Sequence, residues 1–260
     1  MPLNTGTQAT VGIIPARWAS SRFPGKPLHE IAGKPLVQHV WERCSESSSL
    51  DAVIIATDDD RISEAALGFG AQVAMTSVEH CSGTDRIAEA LESLEKPFDI
   101  VVNIQGDEPL VSPQLIDSLV QSLIDDTESA MATAASPISN GLLLDDPNVV
   151  KVVADGHGRA IYFSRSPIPY RRGRPSSGTC TPLRHHGIYA FRTEFLREFV
   201  EWPPAPLEEI ECLEQLRALY NGARIHLVIT EEESFGVDTP DQARQLEKLL
   251  NARQQSVSGS

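Results

Sequence analysis

Short apolar runs alternate with segments of helical period through the first half of the chain. Val11-Gly-Ile-Ile-Pro15, Val53–Ala56, Gln72–Met75 and Ile100–Ile104 read as strands. Continuous apolar runs of this length suit strands buried on both faces. Between them, Leu36, Val40 and Cys44 share one helix face, with Val37 and Trp41 beside it. Ile62, Ala65, Ala66 and Phe69 mark a second helix, and Ile87, Leu91 and Leu94 stripe Asp85–Leu94. Leu115, Ile116, Leu119, Val120 and Leu123 stripe Pro113–Ile124. This alternation predicts right-handed crossovers and an α/β fold with a doubly wound, mostly parallel sheet. Such sheets bind ligands at the carboxyl ends of their strands. Three polar breaks fall there: Ala16–Pro35, Thr57–Asp60 and Gln105–Pro109.

The second half changes character. Val149–Ala154 and Ala160–Ser164 flank Asp155-Gly-His-Gly158, the pattern of a hairpin with a Gly-assisted turn. Residues 165–182 read as an irregular excursion. A strand over His185–Phe191 and a helix over Thr193–Val200 follow. One helix is predicted from Leu207 to Tyr220, with Ile210, Leu213 and Leu216 as its core face. Ile225–Ile229 is a strand, and Asp241–Leu250 a closing helix. No internal repeat or long linker divides the chain. Residues 11–250 therefore read as one domain, with halves at 11–135 and a smaller β-rich lobe at 136–235, closed by 236–250. Residues 1–10 read as an N-terminal extension and 251–260 as a flexible, frayed tail.

Charge narrows the function. Across 260 residues, 22 Lys+Arg against 36 Asp+Glu leave a net charge of −14. An acidic surface disfavours nucleic acid, which needs excess Lys and Arg to neutralise phosphates, and equally disfavours anionic membranes. No apolar run approaches the ~20 residues of a membrane span. The opening MPLNTGTQAT lacks the basic and apolar regions of a secretory signal. Cys44, Cys81, Cys180 and Cys212 form no CxxC pair. Free thiols in a reducing cytoplasm are the expected state.

Against that acidic background, Arg17, Arg22 and Lys26 crowd the Gly- and Pro-containing loop after the first strand. Such a loop can aim backbone N–H groups at an anion, and these cations add a phosphate clamp. The Walker pattern GxxxxGK[ST] is absent. Asp107 follows the most apolar strand, in Gln105-Gly-Asp-Glu-Pro109, and Gly106 permits close backbone approach. Asp107 suits a Mg²⁺ ligand, and equally a turn or helix cap. Asp238, in Gly236-Val-Asp-Thr-Pro-Asp241, is a second carboxylate that could share the ion or simply close a turn. Ser82-Gly-Thr-Asp85-Arg86 reads first as a helix cap. Arg165, Arg184, His185, His186 and Tyr189 could bind a carboxylate and hydroxyls. His185 and His186 are adjacent on a strand, so they face opposite sides.

These segments resemble a known family. IIPARWASSRFPGKPL, VIIATDDDRI, SGTDRIAEA, VVNIQGDEPL, NVVKVV, AIYFSRSPIP, RHHGIYAFR, PLEEIECLEQLR and GVDTPDQA are similar to the 3-deoxy-D-manno-octulosonate (Kdo) cytidylyltransferases. The opening segment alone marks the wider Rossmann-like nucleotidyltransferases, whereas FSR, RHHGIY and LEQLR narrow it. The resemblance implies transfer of CMP from CTP to Kdo with release of pyrophosphate, for lipopolysaccharide synthesis. It implies Mg²⁺ on Asp107 and Asp238, and CTP phosphates on Arg17, Arg22 and Lys26. Ser82, Gly83, Thr84, Arg86 and Gln105 fall in its nucleoside region. Arg165, His185, Tyr189, Glu214 and Gln215 fall where it binds the sugar acid, the last two on the predicted 207–220 helix. Arg17, Lys26, Asp107 and Asp238 are the implied catalytic set, and a homodimer through the second half is implied too. The chain departs from the family in its Arg- and Gly-rich 171–182 excursion and in His186, where a hydrophobic residue is usual. An 8-amino analogue of Kdo is an alternative sugar and a sialic-acid type a more distant one, and a catalytically silent nucleotide-binding protein of the same fold is the alternative of a different class.

Overall fold

The computed structural model describes residues 8–19, 23–80, 82–139, 141–170, 172–173, 181–232 and 235–258, with side chains as far as 252. The strands are β1 Thr10–Ala16, β2 Glu30–Ile31, β3 Lys34–Pro35, β4 Ala52–Thr57, β5 Gln72–Met75 and β6 Ile100–Asn103. They continue with β7 Met131–Pro137, β8 Lys151–Ala154, β9 Ala160–Ser164, β10 Leu183–Arg192 and β11 Ile225–Ile229. The helices are α1 Leu36–Ser45, α2 Asp60–Gly68, α3 Gly83–Glu92, α4 Pro113–Asp125 and α5 Gly141–Asp145. α6 Thr193–Glu201, α7 Pro206–Glu211, α8 Leu216–Tyr220 and α9 Pro240–Ser258 follow. Contacts divide the chain into a first unit, 9–98, 103–116 and 234–260, and a second, 1–8, 99–102 and 117–233.

In the first unit β1, β4 and β5 pair in parallel, Ile14 opposite Ile55 and Ile55 opposite Val73. The apolar runs are continuous because these strands are covered: Ile13, Ile14 and Ile55 are fully buried. Gly12 packs closely, since a Cβ there would lie 2.8 Å from Leu50 Cδ1 and that side chain would have to shift. α1 buries Leu36, Val37, Val40 and Cys44, the face read from the spacing. α2 begins at Asp59, whose side chain accepts the Arg61 N–H, and α3 begins at Ser82, whose hydroxyl accepts the Asp85 N–H. α9 lays Ala243 and Leu246 on a cluster of Phe23, Ile31, Leu36 and Val237. It runs on to Ser258, so the segment expected to fray after Leu250 continues the helix. Its sequence from Asn251 to Val257 has no Pro or Gly to stop it.

In the second unit β7 lies between β11, parallel, and β10, antiparallel. β8 pairs with β10 and β9, and the 155–158 turn closes the predicted hairpin with Gly158 at φ +75°. β7 therefore belongs with the second half, not with residues 11–135: both its ladders run to strands beyond residue 180. The second unit, 1–8, 99–102 and 117–233, has bounds different from the 136–235 lobe and nearly the same length as the first. α6 packs Phe195 and Phe199 among Phe191 and Trp202. The single helix expected over 207–220 is broken. Cys212 takes a left-handed conformation, φ +51°, and ends α7 before α8 starts at Leu216. Ile210 is consequently exposed, while Leu213 and Leu216 are buried.

Lys151 is fully buried in this unit, and its ammonium donates to the carbonyls of Asp146, Val149 and Arg165 at 3.0, 2.6 and 2.5 Å. Asp126 accepts both ends of the Arg159 guanidinium at 2.9 and 3.1 Å, and the Ser129 hydroxyl at 2.7 Å. These donors hold its carboxyl well below the usual range.

Candidate active site

The first unit contains a cavity of about 240 Å³. Its walls come from strand ends and helix starts. Pro15, Ala16 and Arg17 end β1, while Gln105, Gly106 and Asp107 follow β6. Lys26 and Pro27 sit in the following loop, His80, Ser82, Gly83 and Arg86 at the start of α3, and Asp238 just before α9. This is the strand-end position expected of an α/β ligand site.

Local sequence explains the approach of these segments. A Cβ on Gly106 would lie 2.7 Å from the Pro15 carbonyl oxygen, so only glycine lets the 105–107 loop close on β1. Gly25, at φ +69°, turns the chain beneath Trp18 and donates its N–H to the Trp18 carbonyl at 3.1 Å. The Arg61 guanidinium stacks on the Trp18 ring, 3.4 Å from its centre, and Asp59 grips Arg61 at 2.9 and 2.6 Å. Trp18 and Gly25, both ahead of Lys26 in the chain, are thus held to each other and to Arg61.

Lys26 is the electrostatic centre. Its ammonium lies 2.6 Å from Asp107 Oδ2 and 3.1 Å from Asp238 Oδ1. One nitrogen touching both carboxylates means that the two acids converge, although 131 residues separate Asp107 from Asp238 in a 260-residue chain. Val237 N–H donates to the Asp107 carbonyl at 2.8 Å and ties the two loops together. Two converging carboxylates are a suitable donor set for Mg²⁺, which typically takes one or two carboxylates and completes its shell with water and substrate phosphates. No larger cluster of metal-binding side chains occurs among the described residues.

Arg86 is buried, and its guanidinium is engaged: it donates to Thr76 Oγ1 at 2.5 Å and to Asp58 Oδ2 at 2.7 Å. Ser82 donates to Asp85 Oδ2 at 2.9 Å while capping α3. Thr84 is buried and does not line the cavity. Arg22 lies outside the described residues. Sequence reasoning missed His80, which lines the cavity, and Asp58 and Thr76, which hold Arg86. The three consecutive acids Asp58–Asp60 at a strand end were the available signal for Asp58. His80 carried no periodicity to mark it.

The other candidates lie in the second unit. His185 Nε2 is 2.9 Å from Thr133 Oγ1, and its ring meets Phe163 and Tyr189 at centroid distances of 4.9 and 5.5 Å. Burial pushes the imidazole down to about 3, so the ring stays neutral and is a poor base. Burial and, secondarily, the Glu214 carboxylate push the Tyr189 phenol up. Glu214 and Gln215 sit in the break between α7 and α8, not on a helix surface. Gln215 is buried with no partner for its Nε2, an unmet donor of the kind a polar ligand satisfies. Arg165 donates to the carbonyls of Glu211, Pro147 and Cys212 at 2.7, 2.9 and 3.2 Å, so its guanidinium is committed to holding α7. His186 points to the opposite side from His185, with Nε2 2.8 Å from Ser136 Oγ.

A family model described as cytidylyltransferase matches residues 11–225, the class of protein that this fold and cavity define. The 3-deoxy-manno-octulosonate cytidylyltransferase of Geobacter sulfurreducens is 50% identical over 246 residues, covering 91% of this chain and 98% of the relative. The Arabidopsis thaliana protein described by that name and as mitochondrial is 47% identical over 248 residues, covering 95% and 84%. Among solved structures, a CMP:2-keto-3-deoxy-manno-octonic acid synthetase complexed with CTP superposes with a TM-score of 0.88 at 39% identity. It covers 94% of this chain and 99% of that one. The chain belongs to the 3-deoxy-manno-octulosonate cytidylyltransferase family.

Proposed function

We propose that this chain transfers CMP from CTP to the anomeric hydroxyl of Kdo, releasing pyrophosphate and supplying an activated sugar for lipopolysaccharide synthesis. The observation that carries this reading is the pairing of Lys26 with both Asp107 and Asp238 in a cavity at the strand ends. The sugar hydroxyl oxygen forms a bond to the α-phosphorus. The bond from that phosphorus to the bridging oxygen breaks, pyrophosphate leaves, and the hydroxyl proton passes to water. Asp107 and Asp238 would hold Mg²⁺, which when bound supplies positive charge against the phosphoryl oxygens. Arg17 and Lys26 neutralise the triphosphate, and Lys26 balances the charge that grows in the transition state. Arg22 adds a third cation in the same loop. Ser82, Gly83, Arg86 and Gln105 form the nucleoside wall, with Thr84 buried behind it.

In the second unit His185, Tyr189, Glu214 and Gln215 would bind the sugar acid, and Arg165 would act by holding the 211–215 segment in place. The neutral ring of His185 suits hydrogen bonding to a hydroxyl and does not suit proton abstraction. A homodimer through the second unit accords with exposed Ile161 and Ile229 on its strands. Among the described residues no helix is long and apolar enough to cross a membrane. A cytoplasmic enzyme acting on soluble CTP and Kdo is the reading we adopt.

A pyrophosphate-release assay tests it. Release should require CTP, Kdo and Mg²⁺ together and stop when any one is omitted. Turnover with 8-amino-Kdo or sialic acid and none with Kdo would move the assignment to that sugar.

A further inference from the structure

The cations of the cavity are carried by a loop whose shape is set from outside it. Arg17 and Lys26 line the cavity, while Trp18 and Arg61 do not. Arg61 nonetheless reaches Lys26 through a short series of contacts. Its guanidinium lies 3.4 Å from the centre of the Trp18 ring. That ring lies against Gly25, where a Cβ would come within 2.9 Å of it. The Trp18 carbonyl accepts the Gly25 N–H at 3.1 Å, and Lys26 is the next residue. Gly25 in turn opens the 3₁₀ turn Lys26–Leu28, accepting the Leu28 N–H at 3.0 Å.

This series of contacts starts from fixed ground. Arg61 lies in the first turn of α2, whose Ile62 and Ala66 are fully buried. Asp59 accepts the Arg61 backbone N–H at 3.0 Å and the side-chain Nε and Nη2 at 2.9 and 2.6 Å. One carboxylate thus starts the helix and aims the guanidinium. A planar cation held by two parallel bonds can lie flat on an indole, which a lysine ammonium cannot reproduce. More than half of the Arg61 side chain is exposed, so its pairing with Asp59 carries little of the stability. Lys26, by contrast, has to meet Asp107 at 2.6 Å and Asp238 at 3.1 Å. A charge stabiliser works where it is preorganised, and a displacement of about 1 Å can cost about 10²-fold in rate.

We propose that Arg61, oriented by Asp59, is a positioning residue for CMP transfer, acting through Trp18 to place Lys26 against the transferring phosphate. This rests on the reading of Lys26 as the charge stabiliser of that reaction.

The test is a double-mutant cycle in kcat for pyrophosphate release, with CTP, Kdo and Mg²⁺ saturating. It covers wild type, Arg61→Ala, Lys26→Ala and the double variant. Arg61→Ala should lower kcat about tenfold, with KM for Kdo and the melting temperature nearly unchanged. In the Lys26→Ala background the same substitution should do almost nothing, since no ammonium is left to place. Arg61→Lys keeps the charge and loses the planar stack, and should stay well below wild type. The inference is overturned if Arg61→Ala keeps the wild-type kcat, or lowers it by the same factor with and without Lys26. Full recovery in Arg61→Lys overturns it too, since charge alone would then suffice. Wild type that releases no pyrophosphate removes the functional reading itself. Wild type that is active, with kcat unmoved in Arg61→Ala, removes only the role of Arg61.

Discussion

Two lysines in two regions show how the same group serves opposite ends. Lys26, in the first unit, is caught between two carboxylates and keeps 15% of its side chain exposed. Lys151, in the second, is fully buried and held by three backbone carbonyls. A carboxylate can exchange one cation for another, so on the proposed reading the Lys26 pairing is an arrangement that substrate and metal would redistribute. Peptide carbonyls have no alternative partner in the interior, so the Lys151 ammonium is a permanent strut. Charge partnered by charge is available for chemistry, whereas charge partnered by backbone dipoles stays put.

The sharpest break in the comparison comes from Asp107→Asn. It should remove Mg²⁺-dependent pyrophosphate release, by at least about 10³-fold, with the melting temperature nearly unchanged. Activity near wild type would remove Asp107 from the metal site. Lys26→Ala should cut kcat by about 10²–10³, comparable to losing one preorganised charge stabiliser. If turnover were unaffected, Lys26 would be a solvated loop residue and the contrast with Lys151 would collapse. Lys151→Met moves the effect to stability. It removes three charge-assisted hydrogen bonds to half-buried carbonyls and should cost about 3 kcal/mol, read from urea unfolding at pH 7. A variant as stable as wild type would mean that water replaces the ammonium at no cost.

The smallest effect is graded with pH. His185 and His186 sit at about 3 and about 4 in the fold, both lowered first by burial, against an ordinary value of 6.5. The unfolded chain therefore binds more protons at these sites between those values. Their contribution to stability is complete above about pH 6.5 and declines as pH falls toward 4. A urea midpoint that drops from pH 7 to 4.5, and drops less in His186→Gln, is the expected result. An equal drop in both proteins would assign the acid sensitivity to other groups.

Most of the architecture could be read from residue order because burial leaves a periodic trace. β1, β4 and β6 announce themselves as unbroken apolar runs, and α1 and α3 as stripes. The polar breaks at strand ends were legible for the same reason, and the structure brings Arg17, Lys26, Gln105, Asp107 and Asp238 to one cavity. What escaped has no periodic signature. Ile210, Leu213 and Leu216 keep helical spacing across a break made by one left-handed residue, Cys212. Lys151 reads as a surface lysine, since nothing local reveals three converging carbonyls. His80 is a loop residue whose partner, Glu89, lies nine residues on in α3. The division between the units eluded the sequence because β7 finds both neighbours only after residue 180.

The stack of Arg61 on Trp18 also gives the molecule an optical reporter. An indole's emission follows the electric field across its ring, and here a cation lies 3.4 Å from the ring centre. Trp18 adjoins Arg17 and covers Gly25, immediately before Lys26, so the arrival of a triphosphate would alter that field directly. None of the three tryptophans lines the cavity, but Trp18 alone is next in sequence to a lining residue, Arg17, while Trp41 lies beside Phe69 and Trp202 among the aromatics of α6. If nucleotide occupies this cavity as proposed, Trp18 emission should shift when CTP is added, and occupancy could then be followed without a label before any chemistry occurs.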